Sequence, residues 1–81
     1  MLETILKIKL LKLKEEHEAV CYQIRSLQRE IRINKQTLRN YPTPQLRRLV
    51  SYQKVQLLGL QRNARNIEKE FQETKEKMKE L

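Results

Sequence analysis

Asn40-Tyr41-Pro42-Thr43-Pro44 is the stretch that decides the fold of this 81-residue chain. It contains both prolines. The long segments on either side of it have helical patterning, and the chain's single glycine, Gly59, lies in the second of them. A residue that precedes a proline is pushed out of the helical region, which applies to Tyr41, and Asn40 is suited to end a helix in the left-handed conformation. Thr43 is a predicted N-cap, and Pro44 suits the first helical position, where a missing N–H costs nothing.

The stretch therefore predicts a turn over residues 40–43, between a helix over 2–39 and a helix over 44–80. In both helices, mostly apolar residues recur at alternating intervals of four and three, which is the heptad pattern of coiled coils. We call these two rows the seam. In the first helix the seam consists of Leu6, Leu10, Leu13, His17, Val20, Ile24, Leu27, Ile31, Asn34 and Leu38. In the second it consists of Leu46, Val50, Gln53, Leu57, Leu60, Ala64, Ile67, Phe71, Thr74, Met78 and Leu81.

The two rows match when the chain folds back at Pro42. In an antiparallel pair an a position faces a d position, and with that rule the facing residues have numbers that sum to 84, from Leu38 opposite Leu46 to Leu6 opposite Met78. The pattern predicts an all-α fold with two long helices in one antiparallel coiled-coil hairpin. Each arm should be roughly 55 Å long, at about 1.5 Å per residue.

Four seam positions are polar: His17, Asn34, Gln53 and Thr74. Asn34 and Gln53 lie one layer apart in the predicted register, so we expect a hydrogen bond between their amides. Polar residues at seam positions fix the register or the oligomeric state of coiled coils. We interpret His17 in the same way, because no pattern of Cys, His or acidic residues accompanies it to form a metal site.

Several apolar residues fall outside the seam, and a two-helix hairpin would leave them exposed. Exposed apolar patches indicate interaction surfaces, so we predict self-association, with a four-helix bundle as one form, or docking of another protein. The predicted interface consists of Leu2, Ile5, Ile8, Leu11, Leu49, Val55 and Leu58.

The positive charge is concentrated in the half of the hairpin that contains the bend. The formal net charge is +8, whereas residues 25–65 alone carry ten cations and one acid, Glu30, for a net +9. This segment contains all eight arginines, whose planar groups suit bidentate contacts with phosphate. The predicted nucleic-acid-binding residues are Arg25, Arg29, Arg32, Lys35, Arg39, Arg47, Arg48, Lys54, Arg62 and Arg65.

Either RNA or DNA would suit this basic tip, and an acidic protein surface is the competing partner. Tyr41 and Tyr52 are candidates for stacking on bases. The alternative interpretation of these two rings is packing at the turn and on a half-buried helix surface.

The composition argues against an enzyme. There is one histidine, Cys21 is the only cysteine, and there is no aspartate. The chain has no glycine-rich phosphate loop and no spacing typical of a metal site, so we expect neither a cofactor nor a bound metal. A lone cysteine permits no intramolecular disulfide, which favours an intracellular location, cytoplasmic or with the nucleoid or nucleus.

Binding to a membrane is a lesser alternative. No apolar run approaches the about 18 residues that a spanning helix needs. Residues 1–14 form a lysine-rich amphipathic segment, which suits a membrane surface as well as a partner helix.

We therefore predict a non-enzymatic hairpin whose basic tip, residues 25–65, binds nucleic acid largely through phosphates. The alternative is a coiled-coil adaptor, assembly protein or chaperone that binds partner helices through its apolar seam.

Overall fold

Two helices form the entire fold in the computed structural model, which describes all 81 residues. Helix α1 spans Leu2–Asn40 and helix α2 spans Pro44–Lys79. They pack against each other along their length in a molecule that measures 59 × 14 × 14 Å over its Cα atoms. That length is the length of one arm, as predicted, so the all-α antiparallel hairpin is confirmed.

The turn is built as the sequence predicts at Thr43 and Pro44. Thr43 has extended backbone angles, φ −108° and ψ 147°, and its Oγ1 accepts a hydrogen bond from the Leu46 N–H at 3.2 Å. Pro44 occupies the start of α2, where its missing N–H is no loss. Tyr41, which precedes a proline, leaves the helical region with φ −135° and ψ 78°, while its N–H still donates to the Thr37 carbonyl at 2.8 Å.

The helix ends differ from prediction by one residue each. The left-handed conformation predicted for Asn40 is wrong, since no residue has a positive φ and Asn40 remains helical. The constraint that Pro42 places on Tyr41 ends α1 without a left-handed residue. At the other end α2 stops at Lys79, and Leu81 lies outside it and is exposed, so its predicted seam position is wrong.

The core is a single line of side chains between the helices. The other predicted seam residues are all buried or half-buried. Two helices share only one contact surface, so the core is one seam wide. Its fully buried apolar members are Leu13, Val20, Ile31, Val50, Ala64 and Ile67.

The polar seam residues satisfy one another or their own backbone. Asn34 Nδ2 donates to Gln53 Oε1 at 3.0 Å, which confirms the predicted bond between the helices. Gln53 is only 6% exposed, and its Nε2 donates onward to Glu30 Oε2 at 3.4 Å. Thr74 is buried and donates from Oγ1 to the Glu70 carbonyl at 2.8 Å. A slip of the register would break the Asn34–Gln53 bond and bury its groups unpaired.

Gly59 lies within α2 with open space around it. A Cβ built there would have nothing within 4 Å. No backbone in this chain approaches Gly59, so its role here is not close packing between the two helices.

We expect the losses of unfolding free energy caused by Asn34→Leu and Gln53→Leu to be strongly non-additive. Each single change leaves a partner amide without its hydrogen bond, and for the buried Gln53 this costs about 1–3 kcal/mol. The double change replaces the pair with an apolar layer, so its loss of unfolding free energy should be smaller than the sum of the single losses. Urea unfolding of the four proteins measures this coupling, and additive losses would show that the bond does not stabilise the register.

We expect Gly59→Ala to raise the free energy of unfolding by about 1 kcal/mol, because glycine is a poor helix former and the added methyl meets nothing. Asn66→Ala, at an exposed position one heptad further on, is the matched control and should give a smaller gain. Thermal unfolding followed by circular dichroism compares the two. A loss of stability in Gly59→Ala would reveal a neighbour outside the chain packed at Gly59.

Candidate nucleic-acid interface

The heptad positions determine which side of the hairpin each charged residue occupies. With Leu10 and Val50 at position a, positions e and b of both helices lie on one side of the seam and positions g and c on the other. Position f points outward, away from the partner helix. Lys9 and Glu70, both at g, form an ion pair of 3.4 Å across the g/c side, as this assignment requires.

Seven of the ten predicted binding residues lie on the same long side of the hairpin. They occupy e and b positions on both arms, and we call this surface the cationic side. Its cations are Arg25, Arg32, Lys35, Arg39, Arg47, Lys54 and Arg65. The other three, Arg29, Arg48 and Arg62, lie at f positions on the outer surfaces. The structure therefore brings most of the predicted site together on one surface, rather than distributing it evenly around the tip.

The opposite side of the same half carries no cation. Between residues 25 and 65, the g and c positions hold Glu30 as their only charged residue. We call this surface the uncharged side. It includes Ile33, Leu49 and Tyr52, all exposed.

None of the ten cations of residues 25–65 has an ion-pair partner. All ten are exposed. The ion pairs formed by lysine or arginine are Lys7–Glu3 at 3.4 Å and Lys9–Glu70 at 3.4 Å. Both lie in the open half, which consists of residues 1–24 and 66–81. Glu30, the one acid nearby, instead accepts from Gln53. Ten unpaired cations repel one another, so the bend half would be stabilised by a polyanion.

Two shallow depressions follow the cationic side. One of about 370 Å³ runs along the seam, and its lining consists of Gln28, Ile31, Arg32, Lys35 and Leu57. The other, of about 170 Å³, is lined by Arg32, Lys35, Gln36 and Arg39. Both are open to solvent, as is a larger depression of about 600 Å³ beside Gly59 on the uncharged side.

The tyrosines considered for base stacking are both exposed, and Tyr52 lies away from the cationic side. Tyr41, in the turn, is 71% exposed, and Tyr52, at position c on the uncharged side, is 62% exposed. The alternative that these rings serve as packing groups is wrong for this chain, since neither is buried. If Tyr52 stacks on a base, it does so on the side of the hairpin opposite the cations.

The predicted interface residues are exposed and form ridges that spiral around the helices. Leu2, Ile5, Ile8 and Leu11 are between 51 and 60% exposed. Residues three apart are turned by about 60° relative to each other around a helix, so the four cross the outer surface of α1 obliquely. We call them the open-end ridge. In α2 the same intervals relate Leu49, Tyr52, Val55 and Leu58; Tyr52 is the member that the sequence analysis missed, although the interval of three pointed to it.

A small polar cluster lies at the middle of the hairpin. His17 Nε2 lies 2.8 Å from Glu68 Oε1, and Cys21 Sγ lies 3.7 Å from His17 Nδ1. No group of three or more His, Cys, Asp or Glu side chains is arranged to hold a metal ion. Neither helix combines the length and apolar character required to cross a membrane.

Comparison with protein-family models, with curated proteins and with solved structures gave no match.

Proposed function

We propose that this protein is a non-enzymatic helical hairpin that binds nucleic acid through its arginine-rich bend half. The observation that carries the proposal is the set of ten exposed cations without ion-pair partners, opposed by Glu30 alone. Such a surface attracts a polyanion, and each phosphate contact releases condensed counterions. Arginine fits phosphate with two parallel hydrogen bonds, which lysine does not provide.

The distribution of the cations favours nucleic acid over an acidic protein. They occupy residues 25–39 of α1 and 47–65 of α2, which corresponds to roughly 20 to 30 Å along the hairpin. A nucleic acid presents regularly repeated negative charge over such a distance. Acidic side chains on a folded protein are usually interspersed with basic ones, so a single acidic patch of this length is less common.

We expect the protein to bind both duplex and single-stranded probes at about 50 mM salt, with an affinity that falls steeply as salt is added. Reversing Arg32, Lys35 and Lys54 to Glu should abolish the binding. Reversing Lys12, Lys14 and Lys77 to Glu lowers the net charge of +8 by the same six units, but at exposed positions in the open half, and should preserve most of it. Fluorescence anisotropy with labelled RNA and DNA measures the affinities.

The control distinguishes a local site from an effect of overall charge. Equal losses in the two triple variants would show that only net charge matters. Absence of detectable binding to RNA and DNA at about 50 mM salt would rule out the proposed function.

A second candidate function, assembly through apolar surface, is favoured by the exposed area. The chain exposes 6727 Å², whereas a compact protein of its mass exposes about 5,200 Å². The excess of about 1,500 Å² is larger than the roughly 800 Å² that each partner buries in a standard protein interface. The seam itself is already occupied by the partner arm, so the surface for another helix would be the open-end ridge. We propose that a second copy of this chain covers it, in a four-helix arrangement.

We expect sedimentation equilibrium to give a mass above that of the 9.9-kDa monomer, and Ile5→Ser with Leu11→Ser to return the chain to a monomer. The double change removes apolar area from the open-end ridge while leaving the cationic side intact, so binding to nucleic acid should persist. Ile33→Ser, at an exposed residue outside both ridges, is the control and should leave the mass unchanged. A wild-type chain that stays monomeric at the highest concentrations would contradict this second candidate.

A further inference from the structure

We propose that the nucleic acid bound is a double helix, held by its phosphates along the cationic side of the hairpin. The inference rests on the proposed function and specifies its ligand. It depends on an arrangement that exists only in the folded hairpin, namely the separation of the cations from the aromatic rings.

Proteins that prefer a single strand to a duplex typically have cations and aromatic rings on the same surface. Proteins that hold single strands track the backbone with a positive groove and stack successive bases on aromatic side chains. Here the e and b positions between residues 25 and 65 contain no aromatic residue. Tyr52 lies on the uncharged side and Tyr22 at an outward f position, so a strand lying on the cationic side would meet neither ring. Tyr41, in the turn, is a single ring and not a row on which successive bases could stack. The cationic side can contact phosphates without a platform for bases.

The cations form two rows, one on each helix. On α1, Arg25, Arg32 and Arg39 recur every seven residues, about 10.5 Å apart along the helix. On α2, Arg47, Lys54 and Arg65 form the second row. Between the rows, the floor of the depression along the seam contains the apolar side chains of Ile31 and Leu57. A duplex presents two rows of phosphates separated by a groove, whereas a single strand presents one.

The width of the hairpin favours contact with the backbones rather than entry into a groove. The molecule is 14 Å across its Cα atoms alone, before side chains are counted. The major groove of B-DNA is about 12 Å wide and admits one helix. Two packed helices therefore lie across the phosphates, which carry no direct sequence information. We infer binding that depends on the duplex backbone and not on the base sequence.

A pair of matched triple variants tests the assignment. The cationic-side variant loses three charges from the cationic side, through the change to glutamine of Arg25, Arg32 and Arg65. The outer-surface variant loses three charges from the outer surfaces at similar heights along the hairpin, through the change to glutamine of Arg29, Arg48 and Arg62. All six arginines are exposed and without ion-pair partners, and glutamine is a good helix former, so both variants should fold as the wild type does. Circular dichroism and thermal unfolding check this.

With a duplex about two turns long, the cationic-side variant should bind roughly a hundred-fold more weakly at about 0.1 M salt. Its plot of log affinity against log salt should be shallower by about 2.7, the value for three lost phosphate contacts on a duplex. The outer-surface variant should lose less than about ten-fold and keep a slope close to that of the wild type. Wild-type protein should prefer the duplex to either of its separated strands, and Tyr52→Ala should not change duplex affinity.

Three results would overturn the inference while leaving nucleic-acid binding intact. These are equal losses in the two arginine variants, a single strand that binds as tightly as the duplex, and a weakening of at least ten-fold in Tyr52→Ala. If no probe binds the wild type, the proposed function itself fails, and the inference fails with it.

Discussion

Burial of one apolar seam is the interaction on which the rest of this structure depends. Two helices have only one surface to share, so nearly all the stabilisation between them comes from a line of side chains one residue wide. The cluster of Leu13, Val20, Ala64 and Ile67, with Ile24, Leu60 and Phe71 packed against it, begins at Leu60 and Ala64 in the bend half and continues into the open half. Closer to the turn, the buried apolar residues of the seam are Ile31 and Val50, and the seam there contains the Asn34–Gln53 bond.

Apolar burial dominates the open half of the molecule, whereas repulsion between cations dominates the bend half. The open half contains most of the apolar cluster and the Lys7–Glu3 ion pair. Its acidic and basic residues nearly balance, so its net charge is close to zero. The bend half contains ten cations that repel one another, and it keeps its geometry through the capped turn at Thr43 and the polar layer. A surface held in this way is ready to accept negative charge, because a bound polyanion would remove the repulsion without requiring the helices to move.

Most of the fold follows from the sequence because its determinants are local. Pro42, Thr43 and Pro44 limit the backbone at three successive positions, and the heptad pattern on each side selects one face of each helix. The matching of the two seams about Pro42 then leaves one register, which the Asn34–Gln53 bond confirms. The errors lie at the helix ends, Asn40 and Leu81, where several backbone conformations have similar energies and no packing selects among them.

The sequence by itself determined two helices, the turn, the seam and a concentration of positive charge between residues 25 and 65. Only the tertiary structure decided on which side that charge lies. The side depends on the antiparallel pairing, which brings the e and b positions of one helix beside those of the other, while Tyr52 and Leu49 come to lie on the opposite side. Residues such as Arg32 and Lys54 are 22 positions apart in the chain. They share a surface because the register of the seam places them there, and no local pattern contains that information.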